Sequence, residues 1–162
     1  MTLAIARFIT ECQKLGKEII LVSSGSVAAG RQLIQHGSAN PSIRSKQAMA
    51  AVGQMKMMAN WQRFFDFPCS QLLITHGDLK DRQRYINIKN TIRILLENLV
   101  LPVINENDTI STDEIKFGDN DKLSALVANL VQADLLILLS DVEGLYDLRN
   151  NKQKLFTEIK KI

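Results

Sequence analysis

The sequence predicts an α/β fold in which a mainly parallel sheet is covered on both faces by helices. Two observations predict it. Short segments with apolar residues on both faces occur at 18–24 (EIILVSS), 70–75 (SQLLIT), 101–104 (LPVI) and 134–140 (DLLILLS). Between them lie longer stretches whose apolar residues recur every three or four positions. A strand apolar on both faces needs cover on both sides, and strand–helix alternation makes the neighbouring strands parallel. At 162 residues the chain suits one domain, spanning 1–162, with a sizeable core.

Taken in order, residues 1–15 place Leu3, Ile5, Ala6, Phe8, Ile9, Cys12 and Leu15 at helical spacing, and Gly16 ends that helix. The strand at 18–24 is broken by Gly25, after which SVAAGRQLIQ (26–35) reads as helical. A loop at 37–41 leads into a long helix over 43–65, closed by Pro68. Its four methionines and one tryptophan suit core or a subunit contact rather than a cofactor site. After the strand at 70–75, residues 82–99 form an amphipathic helix, with Asp78 and Asp81 as caps and His76 in the connecting loop. The strand at 101–104 precedes an acidic loop, then a helix at 122–132, the apolar strand at 134–140 and the turn DVEGLYD.

Composition narrows the function. The net charge of +3 is dispersed, with no basic run interleaved with aromatic residues, so nucleic acid is not an expected partner. Cys12 and Cys69 have no metal-ligand spacing and read as buried thiols of a reducing compartment. The start lacks a signal-peptide pattern, and no apolar run approaches the length of a membrane span. A cytoplasmic protein with no membrane partner is the expectation.

In a parallel sheet, ligands bind beyond the carboxyl ends of the strands. Those ends carry SSGS (23–26), THGD (75–78), NEND (105–108) with GDND (118–121), and SDVEG (140–144). SSGS can offer hydroxyls and free backbone N–H groups to a phosphate or carboxylate. The same residues also suit an ordinary cap by Ser24 or Ser26. Neither GxxxxGK[ST] nor GxGxxG occurs. Residues 105–121 hold six of the seventeen acidic residues, more than helix capping requires. Their register does not fit an EF-hand, so no metal site is assigned to the chain's own residues. A glycosidase carboxylate pair is disfavoured by the abundant Asn and the lack of aromatics for sugar stacking. Acids and amide oxygens at this density suit an ammonium group, whose three hydrogen bonds they can accept. Ser140 and Asp141 can bond sugar hydroxyls or a base edge, or simply form a polar turn at Gly144.

In this order, LVSSGSVAAGR, SKQAMAAVGQ, LPVINENDTIS, KFGDNDKLSALVA and LLSDVEGLYD resemble the glutamate 5-kinase family of the amino acid kinase superfamily. The resemblance covers nearly the whole chain, and NEND followed by GDND is its most specific part. It implies a three-layer αβα sandwich, incomplete here, that transfers the γ-phosphoryl group of ATP to the side-chain carboxylate of L-glutamate. Mg²⁺ would accompany ATP, and a homo-oligomer is implied. By carry-over, Ser24, Gly25, Asp108 and Asn120 would bind glutamate, and Ser140 and Asp141 would belong to the ATP site. Asp121 would orient the catalytic lysines. The family places one such lysine ahead of the first helix seen here and another well past the SD turn. The expectation is therefore a partial kinase domain, mostly its glutamate-binding portion, shortened at both ends.

Overall fold

A computed structural model of the chain describes residues 2–34, 41–110, 120–139, 144, 146–147 and 154–155. In chain order the elements are α1 (Thr2–Lys14), β1 (Leu21–Val22), α2 (Ser26–Gly30), α3 (Ile43–Gln62), β2 (Cys69–Ile74), α4 (His76–Lys80), α5 (Arg82–Glu97), β3 (Leu101–Glu106), α6 (Asn120–Val131), β4 (Tyr146–Asp147) and β5 (Lys154–Leu155). The last two pair antiparallel with each other.

The main sheet has the order β1-β3-β2, all parallel. β3 is central, and all six of its residues are buried. Its register sets Leu21 opposite Val103, Cys69 opposite Leu101 and Ile74 opposite Glu106. Because side chains alternate across a strand, this register sorts the apolar residues into two cores. Leu101, Val103, Leu21 and Cys69 face Ala6 and Ile9 of α1 and Met57 and Trp61 of α3, with Phe65 beside them. Ile104, Val22, Leu72 and Ile74 face Ile92 of α5 and Leu123, Val127 and Leu130 of α6. Each fully buried aliphatic side chain contributes roughly 1.5–3 kcal/mol, so the two cores clamp the sheet from both sides. The expected helix–sheet–helix layering is present over the described residues.

Local chemistry sets the helix starts. Ser42 caps α3 by accepting from the Ser45 N–H at 3.2 Å. Thr75 and Asp78 form a reciprocal capping box on α4, and Asp81 caps α5 by accepting from the Arg84 N–H at 2.9 Å. Partial burial pushes the Asp78 carboxyl upward. The Thr75 hydroxyl, the Thr75 N–H and the Arg84 guanidinium outweigh it and hold the carboxyl below the usual aspartate value. α3 buries Met49, Met57 and Trp61, so the methionine-rich segment is core on one face, while Met55 on the other is exposed.

Several expectations are corrected. The strand at 18–24 pairs only at Leu21–Val22, extended by the Ser23 N–H donating to the Ile104 carbonyl at 3.0 Å. The helix at 26–35 ends at Gly30, the weakest helix former in the stretch, and a turn follows through residue 34. His76 opens α4 instead of lying in a loop. Cys12 and Cys69 are half-buried, not buried, and burial pushes the Cys69 thiol up. Residues 135–139 form no strand, and their side chains are exposed. A strand exists only when hydrogen-bonded to a neighbour, and neither sheet edge, β1 or β2, takes this segment among the described residues.

α2 crosses α3 backbone to backbone. A Cβ added at Gly53 would overlap the Ser26 carbonyl and the Gly30 nitrogen, and one at Gly30 would overlap the Met49 carbonyl. Gly53→Ala is therefore expected to cost at least about 1–3 kcal/mol in denaturant unfolding. Gly77→Ala, where the nearest atom lies 3.7 Å away, serves as the tolerant comparison. Equal stability of the two variants would contradict the close crossing.

Candidate functional site

The carboxyl ends of β1 and β3 lie side by side, because the two strands pair directly. The loop after β1 is built on two anchors. The Ser23 N–H continues the ladder to β3, and the Ser23 hydroxyl accepts from the Trp61 indole N–H at 3.0 Å. Gly25 then sits at φ 110°, a backbone conformation that favours glycine, and turns the chain into α2. No side chain caps α2, so neither Ser24 nor Ser26 plays that part. Ser26 is instead buried and donates its hydroxyl proton to Asp108 Oδ2 at 2.6 Å. Asp108 lies in the turn after β3, and the Asn107 N–H holds that turn by donating to the Ile74 carbonyl at 3.1 Å. All three strands of the main sheet thus contribute to its placement.

Four side-chain amides link the same strand end to α6. Asn120 Nδ2 donates to Asn105 Oδ1 at 3.1 Å, and Asn105 Nδ2 donates to Gln54 Oε1 at 3.0 Å. Gln54 Nε2 donates in turn to Gln71 Oε1 at 3.0 Å. Asn105 and Gln54 are buried, so these bonds satisfy amides that water does not reach. Asp121 is the second residue of α6, and its carbonyl accepts from the Ser124 hydroxyl at 2.8 Å. Asp121 therefore stands inside the first turn, next to Asn120.

A cavity of about 600 Å³ opens beside the β1–α2 loop, with Gly25, Ser26, Arg31, Pro41, Lys46 and Asp108 among its lining residues. Of the sequence-predicted residues, Gly25 and Asp108 line it. Ser24 is exposed next to Gly25 without forming part of the lining, and Asn120 connects to the site through Asn105. Ser140 and Asp141 lie outside the described residues, as does the acidic stretch 111–119. Among the described residues no group of three or more His, Cys, Asp or Glu is arranged to hold a metal. Sequence reasoning missed Ser26 as the partner of Asp108, gave no part to Arg31, Lys46 or Gln54, and counted Asn105 only within the NEND cluster. The strand expected at 101–104 runs on to Glu106, so Asn105, read as the start of the acidic loop, is a buried residue of β3.

The sequence matches the Amino acid kinase family over residues 2–162. The chain belongs to that family. Relatives within it include the glutamate 5-kinase of Idiomarina loihiensis, 58% identical over 90% of this chain and 39% of its own length. The glutamate 5-kinase 1 of Pseudoalteromonas translucida is 55% identical over 99% of this chain and 44% of its own. The glutamate 5-kinase of Salinibacter ruber is 53% identical over 89% and 39% respectively. The chain thus spans about two fifths of the length of these amino acid kinases. No helix among the described residues is long and apolar enough to cross a membrane.

The Ser26–Asp108 contact joins α2 to the end of β3, and its strength is measurable. A double-mutant cycle of Ser26→Ala and Asp108→Ala is expected to give a coupling free energy of about 1.5–3 kcal/mol in denaturant unfolding. Additive effects of the two substitutions would show that the two loops are held together by something else.

Proposed function

We propose that this chain carries the glutamate-binding portion of an ATP-dependent glutamate 5-kinase, which phosphorylates the side-chain carboxylate of L-glutamate as the first step of proline biosynthesis. The observation that carries the proposal is the charge pattern of the cavity. Its lining holds two cations, Arg31 and Lys46, and one carboxylate, Asp108. Glutamate has the complementary pattern of two carboxylates and one ammonium group. The names of the relatives support the same substrate.

In this reading Asp108 and Asn120 accept from the ammonium group, while the Ser24–Gly25 turn, Arg31 and Lys46 receive carboxylate oxygens. Asp121 orients the cationic groups that meet the phosphates, and Ser140 and Asp141 belong to the ATP side. The acceptor carboxylate is already a nucleophile, so these residues need to fix its position and limit charge repulsion rather than remove a proton. A carboxylate oxygen forms a bond to the γ-phosphorus, the bond to the β–γ bridging oxygen breaks, and ADP leaves with that electron pair. ATP with Mg²⁺ supplies the phosphoryl group. Residues 1–162 form one partial amino acid kinase domain in a cytoplasmic homo-oligomer, and neither nucleic acid nor a membrane is a partner.

Calorimetric titration tests the division of labour. Asp108→Ala is expected to weaken L-glutamate binding by about tenfold or more, the worth of a hydrogen bond to a charged group, and to leave nucleotide binding within about twofold. An equal loss of both ligands would overturn it. Trapping γ-glutamyl phosphate with hydroxylamine tests the reaction. Glutamate binding without hydroxamate above background would make the chain a binding module, and tighter binding of aspartate than of glutamate would assign a different acid substrate.

A further inference from the structure

The four amides described above are joined head to tail, and that order carries information. A side-chain amide has one donor end and one acceptor end, so fixing one end fixes the other. Asn120 donates to Asn105, Asn105 to Gln54 and Gln54 to Gln71, at 3.1, 3.0 and 3.0 Å. Gln54 and Asn105 are 6% and 2% exposed, and each uses both ends of its amide within the relay. Reversing any one buried amide would set donor against donor or acceptor against acceptor at its neighbours, so the relay reverses as a whole or not at all. Bonds in such a chain also polarise one another.

We infer that the relay Gln71–Gln54–Asn105–Asn120 is a specificity device, with Gln54 and Asn105 as positioning residues that set which end of the Asn120 amide meets the ligand. In the observed direction an N–H of the Asn120 amide donates to Asn105 of β3, which assigns its Oδ1 to an ammonium N–H. In the opposite direction Asn120 would present its NH₂ and favour a carboxylate. The relay therefore selects acids that carry an ammonium group over the same acids without one. Gln71, at the exposed end of the relay, lies on the edge strand β2. The ligand rests on the glutamate reading above; the relay itself does not.

The test compares L-glutamate with glutarate, which lacks only the ammonium group. Gln54→Met keeps the volume and removes the amide, Gln54→Glu keeps an acceptor towards Asn105, and Gln71→Leu cuts the relay at an exposed position where folding is not at stake. Affinities come from calorimetry, and the Asn120 side-chain NH₂ signals from ¹⁵N–¹H spectra of the free proteins. Gln54→Met is expected to weaken glutamate about tenfold, to change glutarate by no more than about twofold, and to move the Asn120 signals. Gln71→Leu does the same to a smaller extent, and Gln54→Glu restores the preference for glutamate. An unchanged glutamate-to-glutarate ratio in Gln54→Met and Gln71→Leu overturns the inference, as do unmoved Asn120 signals. A wild-type chain that binds neither acid is a different result: it overturns the glutamate reading and the specificity role with it, whereas moved Asn120 signals would still establish the relay.

Discussion

Everything in this structure is built outward from β3. It is hydrogen-bonded on both sides, to β1 and to β2, and no residue along it reaches solvent appreciably. Its first four residues, LPVI, are apolar, and their alternation assigns α1 and α3 to one face and α5 and α6 to the other. Its last two, Asn105 and Glu106, are polar and equally buried. The strand therefore changes from scaffold to site within its own length, and the turn carrying Asp108 begins where the apolar cores end.

Burying those polar residues is costly unless every donor and acceptor is met. Among the described residues no buried side-chain nitrogen or oxygen lacks a hydrogen-bond partner. For Asn105 the solution runs through Gln54 of α3 to Gln71 of β2 on one side and to Asn120 of α6 on the other. The requirement to satisfy one buried amide thus ties the first turn of α6 to the sheet. Ser26 and Asp108 make a second tie, from α2 to the end of β3. α2 can reach Asp108 because Gly30 and Gly53 let its backbone lie directly on α3. The base of the candidate site is held by the same contacts that join the helices to the sheet.

Much of this was legible in the sequence because it follows from periodicity. Helix spacing located α1, α3, α5 and α6, and two-sided apolar segments located β1, β2 and β3. The acidic density of NEND and GDND pointed to the loops proposed here as the site. Pairwise contacts were not legible. Ser26 looked like a helix cap because serine commonly caps, yet the φ of 110° at Gly25 gives the cap position to glycine and frees the Ser26 hydroxyl for a residue 82 positions away. Gln54 looked like one more residue of a long core helix, and only the register of β2 on β3 brings Gln71 and Asn105 to the same face as it. Residues 135–139 mark the opposite limit. Five consecutive apolar residues signal a strand, but strand formation depends on a hydrogen-bonding neighbour that composition does not specify.

The ends of β1 and β3, with the start of α6, are proposed as a receptor for a small zwitterionic acid. Backbone amide spectra recorded during an L-glutamate titration test it most directly. Saturable shifts are expected at Gly25, Ser26, Asp108, Asn120 and Asp121, with α1 and the exposed face of α5 unmoved. Saturable shifts centred elsewhere, or none at millimolar glutamate in a folded chain, would contradict it.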